Sequence, residues 1–150
     1  MSTAIFYLHD PAAPKPNQPT HLGANILLCH EDRLLLEKRR DCGVWGLPGG
    51  GIKRGETEAK GIIREVWEET GIRITEAQLQ KLKVFQDRDR IASFPDGSVW
   101  RMVVYLYRVE LKEEPKLRRS AESKDLRFFT REELKDLPII CTHQDMVELF

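Results

Sequence analysis

The sequence has no net charge, few cysteines and no long apolar run. Lysine plus arginine number 24 against 24 aspartate plus glutamate, so the formal net charge is zero. That balance gives no broad basic field to draw the chain to nucleic acid or to an anionic membrane. No apolar run approaches the roughly 20 residues of a bilayer-spanning helix, and no signal-peptide pattern precedes a cleavage site. The three cysteines, Cys29, Cys42 and Cys141, are odd in number and widely spaced. They match neither a zinc-ligand spacing nor a disulfide framework, which points to a reducing, cytoplasmic compartment. Internal repeats and low-complexity tracts are missing too. What is present is a 150-residue chain, 41% hydrophobic and 32% charged. That is the size and balance of one soluble domain with its own core.

One stretch organises the rest: Gly50 to Ile72, GGIKRGETEAKGIIREVWEETGI. Thr57 suits a helix N-cap, and Glu58 places negative charge in the first turn. Gly71 suits the position just past the helix end, where a left-handed backbone is needed. Between them, Ala59, Ile62, Ile63 and Val66 recur at helical spacing and give one apolar face. Glu65, Glu68 and Glu69 stand at i, i+3 and i+4 and share another. Like charges at this spacing cost roughly 0.2–0.5 kcal/mol per pair. Arg64 alone is placed to offset Glu68 from within the helix. A hard divalent cation, Mg²⁺ or Mn²⁺, fits such carboxylates; a solvated charged face is the plain alternative. Two neighbours favour the cation. Gly49, Gly50 and Gly51 let backbone approach a phosphate or metal closely. Glu56 and Arg64, two helical turns apart, can pair and lock the loop to the helix.

The remaining chain reads as scaffold. Ala4–Leu8 is a short strand candidate, and Asp10–Thr20, with four prolines, is an extended arm. Leu22–Cys29 reads as a strand, His30–Arg33 as a hairpin turn, and Leu34 opens the partner strand, ending at Glu37-Lys38-Arg39-Arg40. Arginine forks match phosphate oxygens, so Arg39 or Arg40 is a candidate phosphate contact. Strand alternation lets only one of them point that way. Trp45 is either a core-capping aromatic or a wall for a nucleobase. Val84–Ser93 reads as one irregular strand, Phe94–Ser98 as a turn, and Val99–Leu111 as a central buried strand. Leu126–Phe129 is a further strand. Thr130–Glu133 is a capping box starting a short helix to about Leu137, and Thr142 starts a terminal helix through Leu149. Glu113–Lys124 is a polar loop carrying Glu122.

Gly50, then five residues to Glu56, then seven to Arg64-Glu65-Val66-Trp67-Glu68-Glu69-Thr70-Gly71-Ile72, resembles the Nudix box at every fixed position. Weaker resemblance runs from about His21 to Leu137. The resemblance implies an α/β fold, a Nudix-type α/β/α sandwich around a mixed β-sheet, spanning 21–150 behind an arm of residues 1–20. It implies Mg²⁺-dependent hydrolysis of a phosphate anhydride in a nucleoside diphosphate linked to a further group. Glu65, Glu68, Glu69 and the Gly49 carbonyl are then the expected metal ligands. Glu56 would hold Arg64, which orients the glutamates. Glu122 would be a further ligand or base; one of Glu65, Glu69 and Glu122 takes the role of base. Arg39, Arg40 and Gly50 are the expected substrate contacts, with Trp45 the candidate base wall, although Trp45-Gly46-Leu47-Pro48-Gly49-Gly50 resembles a common Nudix lead-in whose aromatic belongs mostly to the scaffold.

Subfamily marks narrow the substrate by elimination. The proline of ADP-ribose pyrophosphatases and the tyrosine of dinucleoside polyphosphate hydrolases are both missing from Val84–Arg90. The upstream motif of coenzyme A pyrophosphatases is missing as well. A nucleoside triphosphate or related nucleotide is expected, with ADP-ribose as the alternative. A nucleotide-sensing module without catalysis and an RNA-end pyrophosphohydrolase are the other readings. No membrane or nucleic-acid partner is expected, and the chain is expected to be a monomer or homodimer.

Overall fold

The computed structural model describes residues 4–150; residues 1–3 of the expected N-terminal arm lie outside the described residues. In chain order the elements begin with β1 (Ile5–Tyr7), β2 (His21–His30), β3 (Arg33–Arg39), β4 (Trp45–Gly46) and β5 (Gly49–Gly51). Helix α1 (Glu58–Thr70) and a 3₁₀ turn (Glu76–Gln78) follow, then β6 (Gln80–Phe85), β7 (Ile91–Ser93), β8 (Val99–Glu110) and β9 (Ser123–Thr130). Two short helices close the chain, α2 (Arg131–Leu134) and α3 (Cys141–Val147).

Alternation along β2 and β3 builds two cores. Leu27, Cys29, Leu34 and Leu36 face one cluster; Ala24, Ile26, Leu28 and Leu35 face the other. Side chains of a strand point to opposite faces in turn, so a strand apolar at every position needs cover on both sides. Ile62 and Val66 of α1 cover one face, and Met146 and Val147 of α3 the other. This is the α/β/α arrangement around a mixed sheet. β2 runs parallel to β8, with His21 opposite Met102 and Cys29 opposite Glu110, while the remaining pairs are antiparallel. β8 is central, flanked by β2, β6 and β7. Fully burying a Leu or Ile side chain contributes about 1.5–3 kcal/mol, so residues such as Leu35, Ile26 and Ile62, at zero exposure, carry much of the stability.

The β2–β3 hairpin turns through Glu31 and Asp32, both at positive φ (46° and 59°), with His30 opposite Arg33. Two such residues match the right-handed twist of the flanking strands.

Three expected elements differ. Val84–Ser93 is two strands, because the segment between Phe85 and Ile91 turns around the buried Arg90, whose guanidinium donates to Asp87 Oδ1 at 3.0 Å and also pairs with Asp145. α2 keeps its capping box, with Thr130 accepting from Glu133 N at 3.2 Å, but ends at Leu134. α3 begins at Cys141 after an Ile140 cap that lacks a side-chain bond. Thr142 therefore lies in its first turn, not at its cap. No helix among the described residues is long and apolar enough to cross a membrane.

Candidate active site

Helix α1 starts and stops where its end residues dictate. Thr57 Oγ1 accepts from Lys60 N at 3.2 Å. At the other end Gly71 has φ 74° and its N–H donates to Trp67 O at 3.0 Å. The core of Ala24, Ile26, Leu28 and Leu35 anchors the helix through Ile62 and Val66, which turns the glutamate face toward the glycine strand β5.

Asn25 shapes the approach to β5: its amide donates to Leu47 O at 3.3 Å and to Pro48 O at 3.2 Å. Gly49 then adopts φ 147°, where a Cβ would lie 2.1 Å from Ala24 O. At Gly50 a Cβ would lie 2.6 Å from Glu65 Oε1. Glycine at these two positions lets the helix carboxylates rest directly on strand backbone.

Arg64 joins loop and helix. Its Nη2 donates to Glu56 Oε1 at 2.6 Å and to Gly51 O at 3.0 Å, and its Nε donates to Glu56 Oε2 at 3.1 Å. Nη1 reaches Glu65 Oε1 at 2.9 Å and Glu68 Oε2 at 3.3 Å. The Arg64 guanidinium and the Lys53 N–H hold the Glu56 carboxyl well below the usual range. Glu69 is buried, and its Oε1 accepts from Gly49 N at 2.8 Å. Burial raises the carboxyls of both Glu65 and Glu69, and the neighbouring Glu37 raises Glu69 further. Arg64 beside Glu65 and the Gly49 N–H on Glu69 offset this burial only in part, which is the setting a further cation answers.

A cavity of about 650 Å³ opens at this place. Glu65, Glu69, Gly49, Gly50 and Glu122 line it, and so do both Arg39 and Arg40. The expectation that only one arginine faces the site fails here. Pairing of β3 with β9 shifts register between Lys38 and Arg39, so simple alternation ends before either residue. Arg39 pairs with Asp41, Nε to Oδ1 at 2.9 Å, while Arg40 Nε donates to Ala121 O at 2.7 Å and its N–H to Glu122 O at 3.0 Å. Arg40 thereby ties the loop of Glu122 to the cavity rim.

The match to the NUDIX domain covers residues 19–150. The chain belongs to the Nudix family. The chain is 41% identical to a MutT-like protein of Streptomyces ambofaciens over 71 residues, 47% of this chain and 46% of that one. It thus spans less than half of that relative's length. It is 33% identical to the nucleoside triphosphatase NudI of Enterobacter sp. (strain 638) over 98 residues, 65% of this chain and 69% of that one. Among solved structures it resembles a bifunctional NMN adenylyltransferase/ADP ribose pyrophosphatase of Francisella tularensis, complexed with AMP and a Mn ion. That similarity has a TM-score of 0.70 at 25% identity, over 90% of this chain and 42% of the other.

Two side chains expected at the Nudix site lie elsewhere. Trp45 is 4% exposed and stacks edge-on against Phe129 at 4.8 Å between centroids, inside the core beneath α3. It caps the core and does not line the cavity. Glu68 is 51% exposed and turns toward Arg64; it is not among the cavity residues. Among the described residues, Glu65, Glu68 and Glu69 do not converge with ligand atoms all within 4.8 Å; the group that does is His9, Asp87 and Asp89, away from the box. There His9 Nδ1 meets Asp89 Oδ2 at 2.9 Å, and Asp87 is already paired with Arg90.

Sequence reasoning missed Glu37. It is 4% exposed, lines the cavity, and accepts from Ser123 Oγ at 2.6 Å. Its signal was its place in β3: Glu37 opens the charged end of the strand, two residues after the buried Leu35 and so on the same face. His143 was missed too: its Nδ1 accepts from Leu47 N at 3.0 Å, behind the glycine turn. None of the cysteines is primed as a nucleophile, since burial raises all three thiols, Cys29 to about 11.

Proposed function

We propose that the chain hydrolyses a phosphate anhydride in a nucleoside diphosphate linked to a further group, a nucleoside triphosphate or related nucleotide in the first place. The observation that carries this reading is the single cavity in which the carboxylates of Glu65 and Glu69, the glycine strand and two arginines meet. The donor set suits a hard divalent ion, because it consists of carboxylate and backbone oxygens. Glu65, Glu69, Glu122 and the Gly49 carbonyl would hold Mg²⁺, with Mn²⁺ as a substitute, and Glu68 would join by turning away from Arg64. Such an ion, when bound, neutralises the diphosphate and makes a water more acidic.

The chain's own residues do the rest. Arg39 and Arg40, which line the same cavity, bind phosphate oxygens, since guanidinium forks match those oxygens. Arg64, itself held by Glu56, fixes the rotamer of Glu65 and so the direction of its carboxylate. A carboxylate among Glu65, Glu69 and Glu122 accepts the proton of the attacking water. Residues 21–150 form the hydrolase domain in this reading, acting in the cytoplasm on a small-molecule nucleotide.

The solved relative described as an ADP ribose pyrophosphatase favours ADP-ribose as the second reading. A panel of nucleoside triphosphates, oxidised nucleotides, ADP-ribose, dinucleoside polyphosphates, nucleotide sugars and triphosphorylated RNA, assayed with Mg²⁺ and Mn²⁺, tests both. Metal-dependent turnover of a nucleoside triphosphate above the others supports the first reading. Preference for ADP-ribose supports the second, and no turnover of any member overturns both.

A further inference from the structure

The arm of residues 4–18 precedes the NUDIX match, which begins at residue 19, yet it helps to build the cavity. β1 pairs with β7, Phe6 opposite Ala92. Just before the strand, Ala4 N donates to Asp41 O at 3.1 Å, which ties the arm to the loop after β3. Cys141 Sγ donates to Phe6 O at 3.0 Å, joining the strand to the start of α3. Further on, Asn17 clamps the arm to the β7–β8 turn. Its amide donates to Gly97 O at 2.9 Å, and its carbonyl accepts from Val99 N at 2.8 Å. Between these anchors Pro11, Pro14 and Pro16 favour extended backbone and reduce the entropy lost on ordering.

Phe6 is what this arm brings to the cavity. Its ring is half-buried, and the Arg39 guanidinium carbon lies 5.3 Å from its centroid. Phe94, in the turn that Asn17 clamps, lines the same cavity. Met102 and Val104 of β8 add apolar surface there. An aromatic ring beside an arginine that meets phosphate suits a nucleotide, whose base has an apolar π-face and whose phosphates are anionic. Trp45, the aromatic that the sequence brought forward for this task, is buried in the core.

We propose that the N-terminal arm is a base-recognition element and that Phe6 is a specificity-determining residue whose ring meets the nucleobase. This rests on the nucleotide reading above. The arm is fastened at Ala4, Phe6 and Asn17 and places the Phe6 ring in the cavity wall, so the contact surface is in place before the nucleotide arrives, which lowers the ordering cost of binding.

The test compares a nucleoside triphosphate with inorganic tripolyphosphate, which has the same anhydrides and no base, in wild type, Phe6→Ala and Phe6→Trp. Base–aromatic stacking predicts that Phe6→Ala lowers the kcat/KM preference for the base-bearing substrate by roughly 5- to 150-fold. Phe6→Trp keeps the preference within about threefold, because a π-face is retained. An equal fall on both substrates, or an unchanged preference, overturns the proposal. A second readout does not depend on hydrolysis: quenching of a methylene-bridged 2-aminopurine nucleoside triphosphate on binding. Wild type and Phe6→Trp quench it and Phe6→Ala does not; equal quenching in all three overturns the proposal. Quenching lost only in Phe6→Ala, in a protein that hydrolyses nothing, supports the base contact and rejects the hydrolase reading separately.

Discussion

The guanidinium of Arg64 grips the carboxylate of Glu56 with two prongs, Nη2 to Oε1 at 2.6 Å and Nε to Oε2 at 3.1 Å. The same side chain reaches Gly51 O and Glu65 Oε1. One planar cation therefore sets the distance between the glycine strand, the following loop and the glutamate face of α1. Lysine carries the charge but cannot hold this fork. Arg64→Lys should lower kcat/KM by about 10- to 100-fold, the range for losing a partner that orients metal ligands. Steady-state kinetics beside a Mn²⁺ titration followed by electron paramagnetic resonance checks this. Wild-type Mn²⁺ affinity and turnover would count against it.

Gly50 has no room for a side chain. A Cβ there would stand 2.6 Å from Glu65 Oε1, so Gly50→Ala must displace that carboxylate. Displacement of a reacting-site group by about 1 Å costs on the order of 100-fold in rate. The expected result is a loss of that size in kcat with a thermal unfolding midpoint close to wild type. Activity within threefold of wild type would mean that Glu65 is not held against Gly50.

Arg90 is completely buried and is neutralised by Asp87 and Asp145, while its Nη1 donates to the Thr142 carbonyl. It welds the turn before β7 to α3. Asp145→Asn removes one charge from this cluster and should lower the unfolding free energy by about 1.5–3 kcal/mol, as for a hydrogen bond to a charged group. Urea unfolding measures it. A change below about 0.5 kcal/mol, the level of an ordinary surface substitution, would contradict the assignment.

His143 gives the protein an acid-sensitive stability. Burial pushes its imidazole down to about 3, helped by the charges of Arg39 and Arg90. In the unfolded chain the same group titrates near 6.5. As pH falls below about 6.5 the unfolded state takes up a proton that the folded state refuses, so stability is full above that pH and is lost toward pH 3. The loss from this residue is about 2 kcal/mol between pH 7 and pH 5. Urea unfolding at the two pH values should show this slope in wild type and its absence in His143→Asn. Identical slopes would place the titration elsewhere.

Local signals in the chain were readable where neighbours in sequence are neighbours in space. Thr57, Gly71, the Glu56–Arg64 pairing and the Thr130 capping box each involve residues within eight positions of one another, and α1 follows from the first three. The strand β8 was legible from its β-branched and aromatic content. Glu37, Ser123, His143 and Phe6 were not. Glu37 meets Ser123 across 86 positions, and His143 meets Leu47 across 96. Such contacts depend on sheet order and on where α3 docks, which no local pattern states. Trp45 illustrates the same limit: two environments suit an indole, and only the packing of Phe129 against it decides between them.

Glu69 is central to the proposed hydrolysis. It is buried against Gly49 and beside Glu37, within the cavity that also holds Glu65. Glu69→Gln keeps the shape and the acceptor for Gly49 N but removes the negative charge. The decisive measurement is Mg²⁺-dependent nucleotide hydrolysis by this variant, alongside its circular dichroism spectrum. The account predicts a native spectrum with turnover reduced by at least about 100-fold. Turnover near the wild-type rate would contradict it.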